Sequence, residues 1–263
     1  MRIALGIEYD GSRFVGWQTQ PGGGAVQDAV ETALGNIAGC EVKVTCAGRT
    51  DSGVHALGQV VHFDTSVERP DSAWVRGANA MLPDSVAILW AHRVAEDFHA
   101  RYSATARRYR YLLADRAVRP ALGAGRLGWF HQRLQVDAMR EAARLVVGEH
   151  DFSAFRASEC QAKSPVRTIE SFEVERRGER VEFTVCANAF LHHMVRNLVG
   201  CLVYVGAGRQ PAAWMGEVLA SRDRRLAAPT FSAHGLYLEH VRYDARWGLP
   251  ASAKADAGQL VVA

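Results

Sequence analysis

The sequence predicts an α+β protein with a mixed or antiparallel sheet. Apolar residues recur with a period of two in several segments, amphipathic helical patterns separate these segments, and residues 169–190 have the pattern of a long hairpin. A doubly wound fold would instead show parallel strands alternating regularly with helices. A chain of 263 residues can bury a core large enough to fold without disulfides or metals.

The first half carries clear local signals. Apolar residues alternate from Ile3 to Tyr9 and predict a strand that ends at a turn. The i, i+3, i+4 spacing of apolar residues predicts a helix over 26–37, which Gly39 closes. Further strands are predicted over 59–63, 86–94 and 107–115, with a short helix before the second of them.

The second half repeats this alternation. Asp137 is the predicted cap of a helix that runs to about Val147 and stops at Gly148, and the hairpin turns near Gly178. The remaining predicted elements are a buried helix over 192–206, a helix opened by Gln210 and Pro211, and a strand over 235–243. We expect an N-terminal half over 1–105, a C-terminal half over 106–245 and a loosely ordered tail over 246–263.

Composition and motifs exclude several classes of protein. No apolar run approaches the ~20 residues of a membrane span, and the N-terminus lacks a signal-peptide pattern, so we expect a cytoplasmic protein. Five cysteines without a CxxC pair argue against a disulfide framework and a zinc site. The GxGxxG match at 123–128 does not lie between a strand and a helix, and no GxSxG motif occurs. Adjacent His192 and His193 at a predicted helix start would point about 100° apart, which argues against a shared metal ion.

The basic residues are mostly arginine. Three lysines stand against 28 arginines at a net charge of +3, and the planar guanidinium suits phosphate and stacks on bases. A general preference for arginine codons explains the total equally well, so clustering is more informative. Arginines and aromatic residues are interleaved over 98–111, and a second basic cluster lies over 155–168. This mixture is typical of RNA contact through phosphates and base stacking.

A short glycine-flanked segment contains a charge pair. Arg49 and Asp51 stand between Gly48 and Gly53, directly before the alternating strand pattern. A surface turn explains this pattern, because glycine, aspartate and serine favour turns for backbone reasons. A functional carboxylate and guanidinium explain it equally well at this stage.

Five segments together resemble one family, the bacterial TruA-type tRNA pseudouridine synthases. They are GRTDSGVHALGQVVHF, FHARYSATARRYRY, FRASECQAKSPVRT, ANAFLHHMVRNLVG and GLYL, and the resemblance extends from residue 1 to about 245. It implies a homodimer of two RRM-like halves that form one continuous sheet, and a basic cleft for a tRNA anticodon arm. It also implies isomerisation of uridines 38 to 40 without cofactor or metal. Ala162 departs from the polar residue expected there, which weakens the predicted RNA contact of that loop.

The resemblance also implies roles for individual residues. Asp51, Tyr109 and Arg196 match the catalytic positions, and Arg49 matches an arginine that enters the space left by the flipped base. The residues implied in substrate binding are Arg49, Phe98, His99, Arg101, Arg107, Arg108, Tyr109, Glu159, Lys163, Leu236 and Leu238. The carboxylate could add to C6 or to C1', or remove the proton on C2', and the sequence does not choose among these routes. The alternative function is an RRM-like RNA-binding protein without catalysis.

Overall fold

The computed structural model describes residues 1–250, which form ten strands and four α-helices. The strands are β1 (Arg2–Tyr9), β2 (Thr45–Cys46), β3 (His55–Asp64), β4 (Val86–Val94), β5 (Ala104–Asp115), β6 (Gly128–Phe130), β7 (Gly148–Asp151), β8 (Val166–Arg177), β9 (Arg180–Ala187) and β10 (Leu236–Tyr243). The helices are α1 (Val26–Ala38), α2 (Val136–Arg144), α3 (Met194–Gly206) and α4 (Trp214–Ser221). None of these helices is long and apolar enough to cross a membrane.

The chain divides into two compact units. The first unit is Met1–Thr105 together with the segment that begins at Tyr237, and the second unit is Ala106–Leu236. The ranges predicted from the sequence also divide the chain after residue 105, but they place residues 237–245 with the second half. β10 belongs to the first unit because Tyr237 and Leu238 pair in parallel with His55 and Ala56 of β3.

The sheet of the first unit has the order β4-β1-β3-β10, and β2 pairs with β3. β1 is antiparallel to both β3 and β4. Ile3 lies opposite Phe63 and Leu5 opposite Val61, and all four side chains are buried. Trp74, in a helical segment between β3 and β4, packs edge-on against Phe63 at 5.2 Å. The alternation in the sequence therefore marks a face that buries apolar area on both strands.

The sheet of the second unit has the order β5-β9-β8-β7, and β6 pairs in parallel with β5. Phe172 lies opposite Val185 and Val174 opposite Phe183, which gives one apolar face. α2 packs against β8 and α3, and α3 is buried along nearly its whole length. This burial explains why the sequence of α3 is apolar on all sides rather than on one stripe.

Most of the predicted elements are confirmed, and the fold is α+β with mixed pairing. The helix over 26–37 is α1, and Gly39 caps it with φ +71°. Three details were wrong: Gln135 rather than Asp137 caps α2, α2 ends at Arg144, and α4 begins at Trp214. The short strands β2, β6 and β7 were not predicted. The predicted tail over 246–263 lies outside the described residues from 251 onwards.

Candidate functional site

Asp51 lies in the loop that joins β2 to β3 in the first unit. The backbone around it is held at several points: the Trp17 amide donates to the Thr50 carbonyl at 3.0 Å, and the Val54 amide donates to the Asp51 carbonyl at 3.1 Å. Gln59, on β3, donates from Nε2 to a carbonyl at the start of the loop, that of Gly48, at 2.7 Å. The loop thus places a half-buried carboxylate on a fixed backbone.

Thr50 anchors the loop from its buried side. Its hydroxyl and that of Tyr9 lie 2.8 Å apart in the interior of the first unit. Gly16 passes so close that a Cβ atom there would lie 2.8 Å from the Thr50 carbonyl oxygen, and its φ of +107° disfavours other residues. Tyr9, Gly16 and Gln59 were not among the predicted site residues, because their sequence pattern marks them only as strand or turn positions.

Arg49 differs from Asp51 in its exposure, since its side chain lies in solvent. Its charge acts on the buried thiol of Cys46, as does the charge of Arg101. Burial raises the pKa of Cys46 to about 11, and the two guanidinium groups oppose that shift. Arg49 and Arg101 therefore both lie within electrostatic range of the same thiol.

The loop between β4 and β5 carries the predicted residues Phe98, His99 and Arg101. His99 is half-buried and Arg101 is exposed. Phe98 is fully buried and packs against Tyr243 and Trp247, with ring centroids 5.3 and 5.2 Å away. Its ring presents no exposed surface in this structure, and its substrate contact stays a prediction. Through its contacts with Tyr243 and Trp247, Phe98 supports the loop from its buried side.

In the second unit, Tyr109 lies on β5. Its ring packs edge-on against Phe190 at 5.1 Å, and its side chain is largely buried. The neighbouring Arg107 is also buried, and Nη1 donates to the Asn188 carbonyl at 3.0 Å. The substrate contact of Arg107 stays a prediction, and the neighbouring Arg108 is exposed.

Arg196 lies in the first turn of α3. Its Nε donates to the Phe231 carbonyl at 2.9 Å, and the Phe231 amide donates to the Arg196 carbonyl at 3.3 Å. The Phe231 ring lies 5.8 Å from that of Tyr111, two residues from Tyr109 on the same face of β5. The structure thus ties the helix start that carries Arg196 to the strand that carries Tyr109.

The loop from residue 156 to 163 carries Glu159 and Lys163, and both are exposed. The Ser158 hydroxyl donates to Glu159 at 2.8 Å and lowers the pKa of that carboxyl. The Arg156 side chain stabilises the loop by donating hydrogen bonds to the carbonyls of Cys160 and Ala162. Ala162 therefore contributes to the loop through its backbone, although its side chain lacks the expected polar group.

Leu236 and Leu238 belong to β10 and are buried. Leu238 is fully buried and Leu236 is nearly so, and their part in substrate binding stays a prediction. Their alternation with Tyr237 is that of a strand buried on both faces.

His192 and His193 do not point apart as predicted, so the premise on which a shared metal ion was excluded is wrong. Both residues precede α3 in a turn, and His193 has φ +61°. Their ring centroids lie 4.0 Å apart, so the two side chains do not diverge as they would on a helix. The absence of a metal stays a prediction from the resemblance.

Comparisons with known proteins point to one family. Residues 6–103 and 142–244 match a family model described as tRNA pseudouridine synthase. The chain is 60% identical over 250 residues to tRNA pseudouridine synthase A of Dechloromonas aromatica, which covers 95% of each chain. It is 58% identical to the protein of that name from Burkholderia ambifaria, over 95% of this chain and 93% of the relative. It is 57% identical to the protein of that name from Methylobacillus flagellatus, over 96% of this chain and 97% of the relative.

Proposed function

Because the chain belongs to the tRNA pseudouridine synthase family, we propose that it isomerises uridine to pseudouridine at positions 38 to 40 in the anticodon arm of tRNA. The reaction breaks the bond from C1' to N1 and forms a bond from C1' to C5. C5 loses a proton and N1 carries one in the product, so substrate and product have the same atoms and oxidation state. The enzyme is an isomerase.

The observation that carries this proposal is the fixed loop around Asp51. A carboxylate that reacts at the sugar or the base must be held within about 0.5 Å of its working position. The hydrogen bonds to the carbonyls of Gly48, Thr50 and Asp51 hold the backbone that carries this carboxylate. The three chemical routes remain open: addition to C6, addition to C1', and removal of the proton on C2'.

Two residues of the second unit complete the proposed chemistry. Arg196 is assigned the role of a cation that favours the ionised form of Asp51. Its hydrogen bond to the Phe231 carbonyl fixes the direction of the guanidinium group. Tyr109 is assigned the ring that stacks on the flipped uracil, with its hydroxyl available to the reaction. Arg49 is assigned the role of entering the space that the flipped base leaves.

Exposed basic residues and the assembly of the chain bear on how tRNA is held. Arg101, Arg108 and Lys163 are exposed and are assigned to tRNA phosphates, and His99 and Glu159 remain in the proposed set of substrate-binding residues. A homodimer of RRM-like halves with one continuous sheet, acting in the cytoplasm, is the assembly that we propose. Sedimentation of the purified chain at micromolar concentration tests the dimer.

The test of the function is pseudouridine mapping in unmodified tRNA with and without the protein. The wild-type chain should convert uridines at positions 38 to 40, and Asp51→Asn should convert none while tRNA affinity stays within a few-fold. Asp51→Glu should also fail, because one added methylene displaces the carboxylate. Asp71→Asn, which changes an exposed carboxylate of the same unit, is the matched control and should remain active.

The same variants separate an enzyme from a non-catalytic RNA-binding protein. Asp51→Ala should bind tRNA and form no product if the chain is a synthase. A wild-type chain without product and a loss of tRNA affinity in Asp51→Ala would favour the RNA-binding alternative. Product formation by Asp51→Asn would overturn the assignment of Asp51.

A further inference from the structure

Tyr102 is far more exposed than an aromatic side chain usually is. It is 76% exposed, and the next most exposed aromatic among residues 1–250 is Trp129 at 39%. An apolar ring left in water forgoes the stabilisation that burial gives. Tyr102 directly follows Arg101 in the chain and is not among the predicted site residues.

The ring of Tyr102 is nevertheless held in one place. The amides of Arg101 and Tyr102 both donate to Nδ1 of His99 at 3.2 Å. The His99 amide donates to the Ser103 hydroxyl at 2.9 Å, and the Ser103 amide donates back to the His99 carbonyl at 2.8 Å. These four bonds close a compact loop in which the direction of residue 102 is fixed.

Tyr102 also ends a row of rings that begins in the core. The buried ring of His62 lies 4.8 Å from that of His99, which lies 4.3 Å from that of Tyr102 at an interplanar angle of 34°. One face of the Tyr102 ring is thus supported by protein. Burial and the charge of Arg2 lower the pKa of His99, so its imidazole is neutral at pH 7 and accepts both amides.

The surroundings of the ring fit a polyanion that carries flat bases. The guanidinium carbon of Arg101 lies 5.7 Å from the Tyr102 centroid, which places a cation beside the ring. Arg49 acts on the same Cys46 thiol as Arg101 and adds positive charge to this part of the unit. The charges of the nearby carboxylates Glu96 and Asp97 act on the Arg2 guanidinium and contribute to its raised pKa.

We propose that Tyr102 binds an unpaired base of the tRNA substrate by stacking, while Arg101 binds an adjacent phosphate. Unpaired bases in RNA loops are the ones that aromatic side chains stack on, and such stacking tolerates any base. A rigid ring loses little conformational freedom on binding. This inference rests on the proposed function for the identity of its ligand, and it adds a contact outside the reacting nucleotide.

The test compares Tyr102→Ala, Tyr102→Phe and a matched control, Met81→Ala, which removes another exposed apolar side chain of the same unit. Tyr102→Ala should bind unmodified tRNA about 5- to 100-fold more weakly, the range for one lost stack. Tyr102→Phe keeps the ring and should stay within about twofold of the wild type, as should Met81→Ala. The salt dependence of binding should not change, because no charge is removed.

A fluorescent probe identifies the stacked base directly. Anticodon-arm RNAs with 2-aminopurine at one loop position at a time should show one position that is quenched by the wild type and by Tyr102→Phe, but not by Tyr102→Ala. Affinity of Tyr102→Ala equal to that of Met81→Ala would overturn the proposal. So would an equal loss in Tyr102→Phe, which would assign the contact to the hydroxyl.

Two further results distinguish base stacking from a contact between protein chains and from the chemistry itself. Dissociation of an oligomer by Tyr102→Ala, with unchanged tRNA affinity per chain, would overturn the proposal and place the ring between copies of the protein. A wild-type chain that binds tRNA but forms no pseudouridine would contradict the proposed function alone, because the stacking data would still decide the role of Tyr102.

Discussion

Arg49 and Asp51 are separated by one residue, yet the structure holds them differently. The backbone carbonyls of Thr50 and Asp51 accept hydrogen bonds from the amides of Trp17 and Val54. The Arg49 side chain, in contrast, extends into solvent. A group that reacts needs a fixed position, and a group that enters a vacated space needs freedom to move. The two side chains therefore suit the different roles that we propose for them.

Arg49→Ala should bind tRNA with nearly normal affinity and react slowly. Extruding a base costs a few kcal/mol, which an inserted side chain helps to offset, so the loss should appear in the single-turnover rate at saturating enzyme. Arg101→Ala is the matched comparison and should lose affinity with little change in that rate. An Arg49→Ala variant that behaves like Arg101→Ala would reduce Arg49 to a phosphate contact.

Arg196→Lys should lose more activity than its retained charge suggests. Nε of Arg196 donates to the Phe231 carbonyl, and a lysine has no second nitrogen with which to keep this bond while facing a carboxylate. We expect at least a tenfold lower single-turnover rate at unchanged tRNA affinity, on the order of 1.4 kcal/mol. Arg144→Lys, at an exposed position on α2, is the control. Full activity in Arg196→Lys would show that charge alone suffices.

At the scale of elements, local patterns predicted the existence of the long strands and of the four helices, although the ends of α2 and α4 differ from the prediction. α1 and the hairpin of β8 and β9 depend on residues close in sequence, and the apolar alternation of β1 is visible in its own segment. β2 and β7 are too short to show a periodic pattern, and β2 is defined by the pairing of Thr45 and Cys46 with His62 and Val61 of β3. The resemblance assigned Phe98 and Arg107 to substrate binding, and only the packing shows that both are buried.

The loop around Asp51 should be sensitive to a change in the segment that crosses it. A Cβ at Gly16 would meet backbone atoms of Thr50 and Asp51, which cannot rotate away. Gly16→Ala should shift the carboxylate and lower the rate about 100-fold, as a displacement of about 1 Å does, with tRNA affinity within a few-fold. Gly22→Ala is the control, since nothing lies within 4 Å of its Cβ. Equal rates in the two variants would show that the loop adapts.

The loop between β4 and β5 should make folding sensitive to acid. Nδ1 of His62 accepts the Ala100 amide, and burial, with Arg2, lowers the pKa of His62 to about 4. The unfolded chain, with a histidine pKa of about 6.5, binds this proton more readily, so stability is complete above about pH 6.5 and declines toward pH 4. Urea unfolding at pH 7.5 and 5.0 should show this loss.

The matched variants for that experiment are His62→Gln and His131→Gln. The free energy of unfolding of His62→Gln should fall less between the two pH values than that of the wild type, by roughly 1–2 kcal/mol. His131→Gln changes an exposed histidine and should behave as the wild type does. An identical pH dependence in His62→Gln would show that His62 does not set it.

At the scale of the whole molecule, a net charge of only +3 makes the placement of arginines more important than their number. Arg101, Arg108 and Lys163 are exposed, so each should release about one counterion when it meets a phosphate. Each single alanine variant should lower the slope of log affinity against log salt by about one, and the triple variant by about three.

The control for the salt series is Arg69→Ala, an exposed arginine outside the predicted clusters. It should leave the slope unchanged. A slope that falls equally in all four single variants would mean that the protein attracts tRNA through its overall field rather than at defined sites. The sequence predicted which residues are basic, but only the structure separates the exposed Arg108 from the buried Arg107 next to it.

The late return of the chain to the first unit has a consequence during synthesis. The partner of β3 at His55 and Ala56 begins at Tyr237, after the 131 residues of Ala106–Leu236. At about 5–20 residues per second, a ribosome needs roughly 7–26 s to supply it. During that interval the nascent chain exposes an open strand edge, which another chain can pair with. The contiguous second unit can fold first, and the first unit is completed only after residues from Tyr237 onwards have been synthesised.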